Sequence, residues 1–207
     1  METKIHDKIL LASASPRRRE LLNQIGVQHD VLAVNIDEAS RSGESPEVYV
    51  QRVAMEKAAA GYLRQMGSTK LPSLGADTIV LLADQILGKP KDKNESCATL
   101  KLLSGETHQV FTAVAMANAD KSLCLLSRSK VTFRTLTDEE ITAYWDSGES
   151  ADKAGGYAIQ GRAAVFIRKL EGSYSGVMGL PLFETAELLK DFGVVLLGAT
   201  EQTRVHK

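Results

Sequence analysis

Residues 9–19 read ILLASASPRRR, and this stretch predicts a strand, a turn and a helix in immediate succession. The first four residues form an unbroken apolar run, which is the pattern of a strand buried on both faces of a sheet. Ser15 suits the N-cap of the helix, Pro16 its first position and Gly26 its stop. The chain therefore opens as a strand-turn-helix unit.

Strands and helices alternate along the rest of the chain. Apolar runs bounded by turn residues predict further strands at about 27–34, 74–82, 86–88, 108–117, 123–136 and 163–170. Helical spacing and capping residues predict helices at about 45–66, 92–104, 137–145 and 181–192. Because elements of both kinds intermingle, the predicted class is α/β with a mixed sheet.

Composition narrows the class of function. The 207 residues carry 25 Lys+Arg against 26 Asp+Glu, so no global field draws the chain onto a nucleic acid polymer or a membrane. The apolar runs are too short to span a bilayer, and the polar residues 1–8 precede no apolar leader segment. Cys97 and Cys124 stand in no metal-binding spacing. We expect a cytoplasmic protein whose last residues, from about 199, form a frayed tail.

The turn at residues 13–16 has the features of an anion-binding site. A helix that starts directly after a buried strand presents free backbone N–H groups and the positive end of its dipole. Ser13 adds a hydroxyl, and residues 17–19 add guanidinium groups, which match phosphate oxygens in bidentate fashion. Cations at a helix N-terminus oppose the dipole, so three arginines there favour phosphate binding over a solvated basic turn.

Two charged residues interrupt segments that are otherwise typical of a core. Asp77 lies in a predicted core strand, where it either pairs with a basic side chain or serves as a metal ligand or general base in a cleft. Gly75 beside it permits close approach of a ligand or another backbone. Lys57 follows Val53 by four residues, so it projects from the apolar stripe of its helix. It would snorkel to solvent, pair with a buried acid or meet a ligand.

Three further features are weak when taken alone. Asp37 and Glu38 lie in a loop and could bind a divalent cation through oxygen. Lys89 follows a short strand at the point where a hairpin would turn, which is also the position of an ordinary surface lysine. Residues 155–161 read GGYAIQG, which is either a flexible turn or a loop that approaches a ligand, with Gln160 hydrogen-bonded to a base edge. The chain has no Walker or kinase-type loop and no hydrolytic triad pattern, which argues against a phosphotransferase.

Taken in order, these motifs resemble the Maf family, and the resemblance covers about residues 8–193. The matching motifs are LASASPRR at 11–18, Asp37-Glu38, Glu56-Lys57-Ala58, Gly75-Ala76-Asp77-Thr78, Gly88-Lys89-Pro90, Leu103-Ser104-Gly105, Ile159-Gln160-Gly161 and Gly179-Leu180-Pro181. Any one of these motifs is weak, but all of them in the same order are strongly specific.

The resemblance implies a Maf/inosine-triphosphatase-like fold: an elongated mixed sheet with flanking helices and a cleft between two lobes of a single domain, residues 1–207. It implies hydrolysis of a nucleoside triphosphate to the monophosphate and pyrophosphate with a divalent cation, Mg²⁺ or Mn²⁺, and it suggests a homodimer. The implied catalytic residues are Asp77, Glu38, Lys57 and Lys89, the metal ligands Glu38 and Asp77, and the substrate-binding residues Ser13, Arg17, Arg18, Thr78 and Gln160.

Three positions distinguish the branches of the family. The branch that acts on dTTP and UTP carries Arg, Thr and Gln, as at Arg17, Thr78 and Gln160 here. The branch that acts on 7-methyl-GTP tends to carry Trp, Gln and Glu. The resemblance therefore implies dTTP, UTP or a modified pyrimidine nucleotide as substrate. The family's association with cell-division arrest leaves one alternative, a nucleotide-binding regulator of division without significant turnover.

Overall fold

The computed structural model describes residues 5–67 and 69–196. Within them, seven strands form one sheet in the order β2-β1-β3-β5-β6-β7, with β4 paired to β3. β1 runs parallel to β2 and β3, whereas the other pairs are antiparallel, which confirms the predicted mixed sheet. The strands are β1 Lys8–Leu11, β2 Gln28–Val31, β3 Ser73–Leu82, β4 Gln85–Leu87, β5 Thr107–Ala117, β6 Ser122–Phe133 and β7 Ile167–Glu171.

Several helices begin where local capping signals predict them. Ser45 accepts from the Val48 amide, and Thr137 and Glu140 form a complete capping box. None of the helices among the described residues has the length and hydropathy to cross a bilayer. The helices are α1 Pro16–Gln24, α2 Pro46–Arg64, α3 Lys93–Leu103, α4 Asp138–Asp146, α5 Tyr174–Met178 and α6 Leu182–Asp191.

The predicted strand at 163–170 is partly wrong. Arg162–Phe166 form a 3₁₀ helix, and only Ile167–Glu171 pair with β6. Ala163 and Phe166 are both buried, and their spacing of three suits a 3₁₀ turn better than the alternation of a strand. Helix α5 was not predicted, because five residues are too few to show helical periodicity. The tail predicted from residue 199 lies outside the described residues.

Helices cover both faces of the sheet because successive strand residues point in opposite directions. Ile79 and Leu81 of β3 pack against α2. On the opposite face, Ala76 belongs to an apolar cluster with α1 and α6, whereas Val80 belongs to a separate cluster with α3 and α4. Thr78 lies between these two clusters, so a groove can form there without exposing either core.

One edge of β3 is open along the middle of the strand. β1 pairs with Ser73 and Leu74 at the start of β3, and β4 pairs with residues 80–82 at its end. Residues 75–79 are therefore paired only on the β5 side. The start of α1, which follows β1, and Lys89, which follows β4, border this gap.

Gly75 allows α2 to lie directly on β3. A Cβ at this position would be 2.6 Å from the backbone oxygen of Ala54 and 2.9 Å from the Cβ of Lys57. Of the two alternatives for Gly75, approach of another backbone is therefore confirmed. The close contact brings Lys57 next to Asp77, which points to the same face of the strand.

We expect Gly75→Ala to lower the free energy of unfolding by about 1–3 kcal/mol, because the added methyl must push α2 away from the sheet. Urea denaturation measures this change. Gly88→Ala is the matched control, since a Cβ at Gly88 meets nothing within 4 Å among the described residues. Equal stabilities of the two variants would contradict direct packing of α2 on β3.

Candidate active site

A cleft of about 650 Å³ opens at the gap in the edge of β3. A volume of this size suits a small-molecule ligand such as a nucleotide. All of the site residues expected from the sequence line this one cleft, although they come from stretches far apart in the chain. They are Ser13, Arg17, Arg18, Glu38, Lys57, Asp77, Thr78, Lys89 and Gln160.

Lys57 bridges the two acidic residues of the cleft. Its Nζ lies 2.8 Å from Oδ1 of Asp77 and 2.9 Å from Oε1 of Glu38. The side chains of Lys57 and Asp77 are each 11% exposed, whereas that of Glu38 is 49% exposed. For Lys57, pairing with a buried acid is confirmed and snorkelling to solvent is wrong. The same pairing offsets the cost of burying the Asp77 carboxylate.

The two carboxylates also suit a divalent cation. Mg²⁺ commonly binds through one or two carboxylates together with substrate phosphate oxygens and water. Oxygens of Glu38 and Asp77 converge on the ammonium of Lys57, so a single small cation can be reached by both. Among residues 5–67 and 69–196, no group of three or more His, Cys, Asp or Glu side chains is placed to hold a metal ion. The site therefore fits a cation that takes its remaining ligands from oxygen atoms of the substrate.

The first turn of α1 lines the cleft and has the features of an anion-binding site. Its early amides have no intrahelical partner, as at any helix start, and the turn contains no acidic residue. The Oγ of Ser13 accepts from the Ser15 amide and from Nη1 of Arg18, both at 3.2 Å. These contacts use the lone pairs of Ser13, so its hydroxyl hydrogen is available to donate to an anion.

Arg18 is held largely by the protein itself. Its Nε donates to the backbone oxygen of Gly179 at 2.8 Å, and its Nη2 lies 3.4 Å from Oγ1 of Thr78. Together with the bond to Ser13, three of its five N–H groups are engaged, which leaves two for a phosphate. Burial lowers the pKa of the Arg18 guanidinium, and the negative charge of Asp77 partly offsets that effect.

Thr78 is oriented from behind by a residue that was not predicted. Oγ1 of Thr112, on the neighbouring strand β5, is hydrogen-bonded to Oγ1 of Thr78 at 3.0 Å and to the backbone oxygen of Gly176 at 2.8 Å. Thr112 is 1% exposed. A buried threonine on a core strand gives no sequence signal for such a role, because its partners lie on distant segments.

The glycine bend at 155–161 lines the cleft beside Lys89. Gly155 and Gly156 have φ of 69° and 67°, which favours glycine, and the Gly155 amide donates to the backbone oxygen of Gly88 at 3.0 Å. Tyr157 is buried, and its hydroxyl lies 2.8 Å from Nε2 of His108. Gln160 is exposed and is one of the residues that line the cleft.

Two more cleft residues, Tyr49 and Lys153, were also missed. Lys153 is half-buried, and burial together with the positive charge of Arg17 lowers its pKa. An anion bound between Lys153 and Arg17 would reduce the repulsion between their charges and stabilise the charged form of both side chains. Two signals were available in the sequence. Lys153 stands two residues before the glycine bend, and Tyr49 stands eight residues before Lys57 on the same helix face.

Comparison with known proteins gives one family and several close relatives. The family described as "Maf-like protein" matches residues 8–192. A dTTP/UTP pyrophosphatase of Alkalilimnicola ehrlichii is 52% identical over 197 residues, which cover 94% of this chain and 97% of that protein. A dTTP/UTP pyrophosphatase of Saccharophagus degradans is 54% identical over 187 residues, covering 90% and 89%. The Staphylococcus aureus Ham1 structure matches at 13% identity and a TM-score of 0.44, covering 61% of this chain and 71% of that one.

Proposed function

This chain belongs to the Maf-like family, and on that premise we propose that it is a nucleoside triphosphate pyrophosphatase that converts dTTP and UTP to the monophosphate and pyrophosphate. Two relatives named dTTP/UTP pyrophosphatase are 52% and 54% identical to this chain, and the matches cover 97% and 89% of their lengths. One structural observation carries the proposal: Glu38, Lys57 and Asp77 meet in a cleft that also holds Arg17 and the start of α1.

We propose that Asp77 accepts the proton of the water that attacks the α-phosphorus. Asp77 is the less exposed of the two carboxylates, and Lys57 fixes it through Oδ1, so Oδ2 is the proton acceptor in this scheme. A divalent cation, Mg²⁺ or Mn²⁺, held by Glu38 and Asp77 would offset charge that develops on the phosphate oxygens. Pyrophosphate is the leaving group.

The remaining cations of the cleft would bind the polyphosphate. Arg17 has a planar guanidinium that suits bidentate contact with phosphate oxygens, and Ser13 has a hydroxyl hydrogen to donate. Lys89 and Lys153, which also line the cleft, add point charges. Arg18 would contribute its two remaining N–H groups while holding Ser13 and Thr78 in place.

The proposal is tested by incubating the pure protein and Mg²⁺ with dTTP, UTP, CTP, GTP and 7-methyl-GTP and separating the products. We expect dTMP and UMP with equimolar pyrophosphate, and much slower turnover of the other nucleotides. A nucleotide-binding regulator of division would leave dTTP intact. Transfer of phosphate to any acceptor other than water would support a phosphotransferase instead.

Gln160 would recognise the pyrimidine through its amide, which both donates and accepts. We expect Gln160→Glu to lower kcat/KM for dTTP and UTP by about 10-fold or more, because a carboxylate cannot donate to a base oxygen. Steady-state kinetics on the nucleotide panel measure this. Gln85→Glu makes the same change at an exposed position outside the cleft and should have no effect. An unchanged ranking of substrates in Gln160→Glu would remove this residue from base recognition.

We also propose that the protein acts in the cytoplasm as a homodimer, without a nucleic acid polymer or membrane as partner. Its formal net charge of −1 offers no general attraction to either polyanion. Cys97 and Cys124 are both free thiols, which suits a reducing compartment. The homodimer rests on the family resemblance, and light scattering after size-exclusion chromatography tests it.

A further inference from the structure

The loop that carries Glu38, residues 32–45, contains no helix or strand, and yet α2 holds it at consecutive residues. The Tyr49 hydroxyl donates to the backbone oxygen of Glu38 at 2.9 Å. Nη2 of Arg52 donates to the backbone oxygen of Ala39 at 3.0 Å. The carbonyl groups of two successive peptides, Glu38–Ala39 and Ala39–Ser40, are therefore both tied to α2.

Arg52 holds the same loop a second time, through Glu44. Nε of Arg52 lies 2.6 Å from Oε1 of Glu44, and Nη2 lies 2.9 Å from Oε2, which makes a bidentate pair. The two side chains are only 12% and 5% exposed. Hydrogen bonds from Arg52 hold the pKa of Glu44 at about 2, so this carboxylate stays ionised wherever the protein would be assayed.

These contacts form one unit, which we term the loop clamp and define as Glu44, Tyr49 and Arg52. The guanidinium of Arg52 lies over the ring of Tyr49, 5.5 Å from its centroid, so the two donors support each other. The same helix supplies Lys57, whose Nζ is 2.9 Å from the Glu38 carboxylate. One helix thus sets both the backbone position of Glu38 and the cation that it meets.

We propose that Arg52 is a positioning residue for the reaction: it fixes the loop so that the Glu38 carboxylate stands beside Asp77 at the cation site. This inference rests on the proposed function. Arg52 is not among the residues that line the cleft, so it acts through the loop without touching the substrate. A displacement of about 1 Å at a catalytic group can cost on the order of 10²-fold in rate, so restraint of a loop residue matters.

Arginine is required in this role because the contacts need a planar fork. Arg52 donates four hydrogen bonds: two to the carboxylate of Glu44, one to the backbone oxygen of Ala39 and one to the carboxylate of Glu56. Lysine keeps the charge but has a single ammonium, which cannot hold the bidentate carboxylate and the backbone oxygen of Ala39 together. Arg52→Lys therefore loosens the loop while leaving the charge of the region unchanged.

We expect Arg52→Lys to lower kcat for dTTP by about 10–100-fold, the range seen when outer groups that orient metal ligands are changed. At saturating Mg²⁺, KM should change less than 3-fold by our estimate, because none of the side chains that contact the polyphosphate directly has moved. Mn²⁺ binding, followed by electron paramagnetic resonance in the presence of α,β-methylene-dTTP, should weaken by a similar factor of about 10 or more. Tyr49→Phe removes one loop contact and should give a smaller change in the same direction.

Arg128→Lys is the matched control. Arg128 also makes a bidentate pair with a glutamate of α2, with Nε and Nη2 each 2.8 Å from the carboxylate oxygens of Glu47, but it touches neither the loop nor the cleft. Its kcat and Mn²⁺ affinity should match the wild type. Arg52→Lys with the parameters of Arg128→Lys would overturn the inference, as would a loss in kcat with unchanged Mn²⁺ binding. If the wild type left dTTP intact, the proposed function would fail, and the Mn²⁺ titration would still decide the role of Arg52.

Discussion

Asp77→Asn will keep the fold and lose about 10²–10⁴-fold in turnover of dTTP, the contribution of a general base. Asparagine preserves the shape of the side chain but removes the proton acceptor and one negative charge at the cation site. Lys57 then retains a single anionic partner, Glu38, at 2.9 Å, so the helix contact with the loop is preserved.

The expected loss is measured by initial rates of pyrophosphate release, with circular dichroism to verify the fold. Asp84→Asn is the control, because Asp84 is exposed in the turn between β3 and β4 and lies outside the cleft. An Asp77→Asn variant with more than a tenth of wild-type kcat would end the assignment of Asp77 as proton acceptor, since about 10-fold is below the range of general-base catalysis.

Lys57→Met will lose turnover by about 10²-fold or more, the effect of removing one group that stabilises developing charge, and will also be less stable. The substitution leaves the carboxylates of Glu38 and Asp77 facing each other without the ammonium between them. Removing one partner of a buried pair costs about 3–5 kcal/mol, and we expect the lower end because the cleft opens to solvent. Added Mg²⁺ should raise the melting temperature of this variant more than that of the wild type, since a cation can replace the missing charge.

Urea denaturation, thermal denaturation and dTTP hydrolysis, each with and without Mg²⁺, test this prediction. Lys169→Met is the matched control, because Lys169 makes an exposed pair with Glu171, with side chains 64% and 54% exposed. Exposed pairs contribute about 0–1 kcal/mol. A Lys57→Met variant as stable and as active as Lys169→Met would contradict the bridging role of Lys57.

Elements that depend on neighbouring residues were predictable from the sequence. The capping box at Thr137 and Glu140 and the cap at Asp92 involve residues three apart, so the sequence contains both partners of each contact. The 3₁₀ helix at 162–166 and helix α5 were not predictable. Each has only five residues, too few to show a periodic pattern, and each is stabilised by packing against other parts of the chain. The open edge of β3 was not predictable either. It exists because β1 and β4, which lie far apart in the sequence, pair with opposite ends of β3 and leave its middle unpaired on that side.

The sequence predicted which residues form the candidate site, but not which of them contact one another. Helical spacing placed Lys57 on the buried stripe of α2, but its partner Asp77 is identified only by the packing of α2 on Gly75. Arg17 and Arg18 are equivalent in sequence terms. Both line the cleft, and the fold separates them because Arg18 is anchored by a hydrogen bond that it donates to the backbone oxygen of Gly179, 161 residues away.

The measurement that tests the central claim most directly is hydrolysis of dTTP in H₂¹⁸O with mass spectrometry of both products. Attack of water on the α-phosphorus, assisted by Asp77, predicts one ¹⁸O atom in dTMP and none in pyrophosphate. Label in pyrophosphate would mean attack at the β-phosphorus, and release of dTDP with a single phosphate would mean that a different bond is cut. Either result would contradict the proposed chemistry of the cleft.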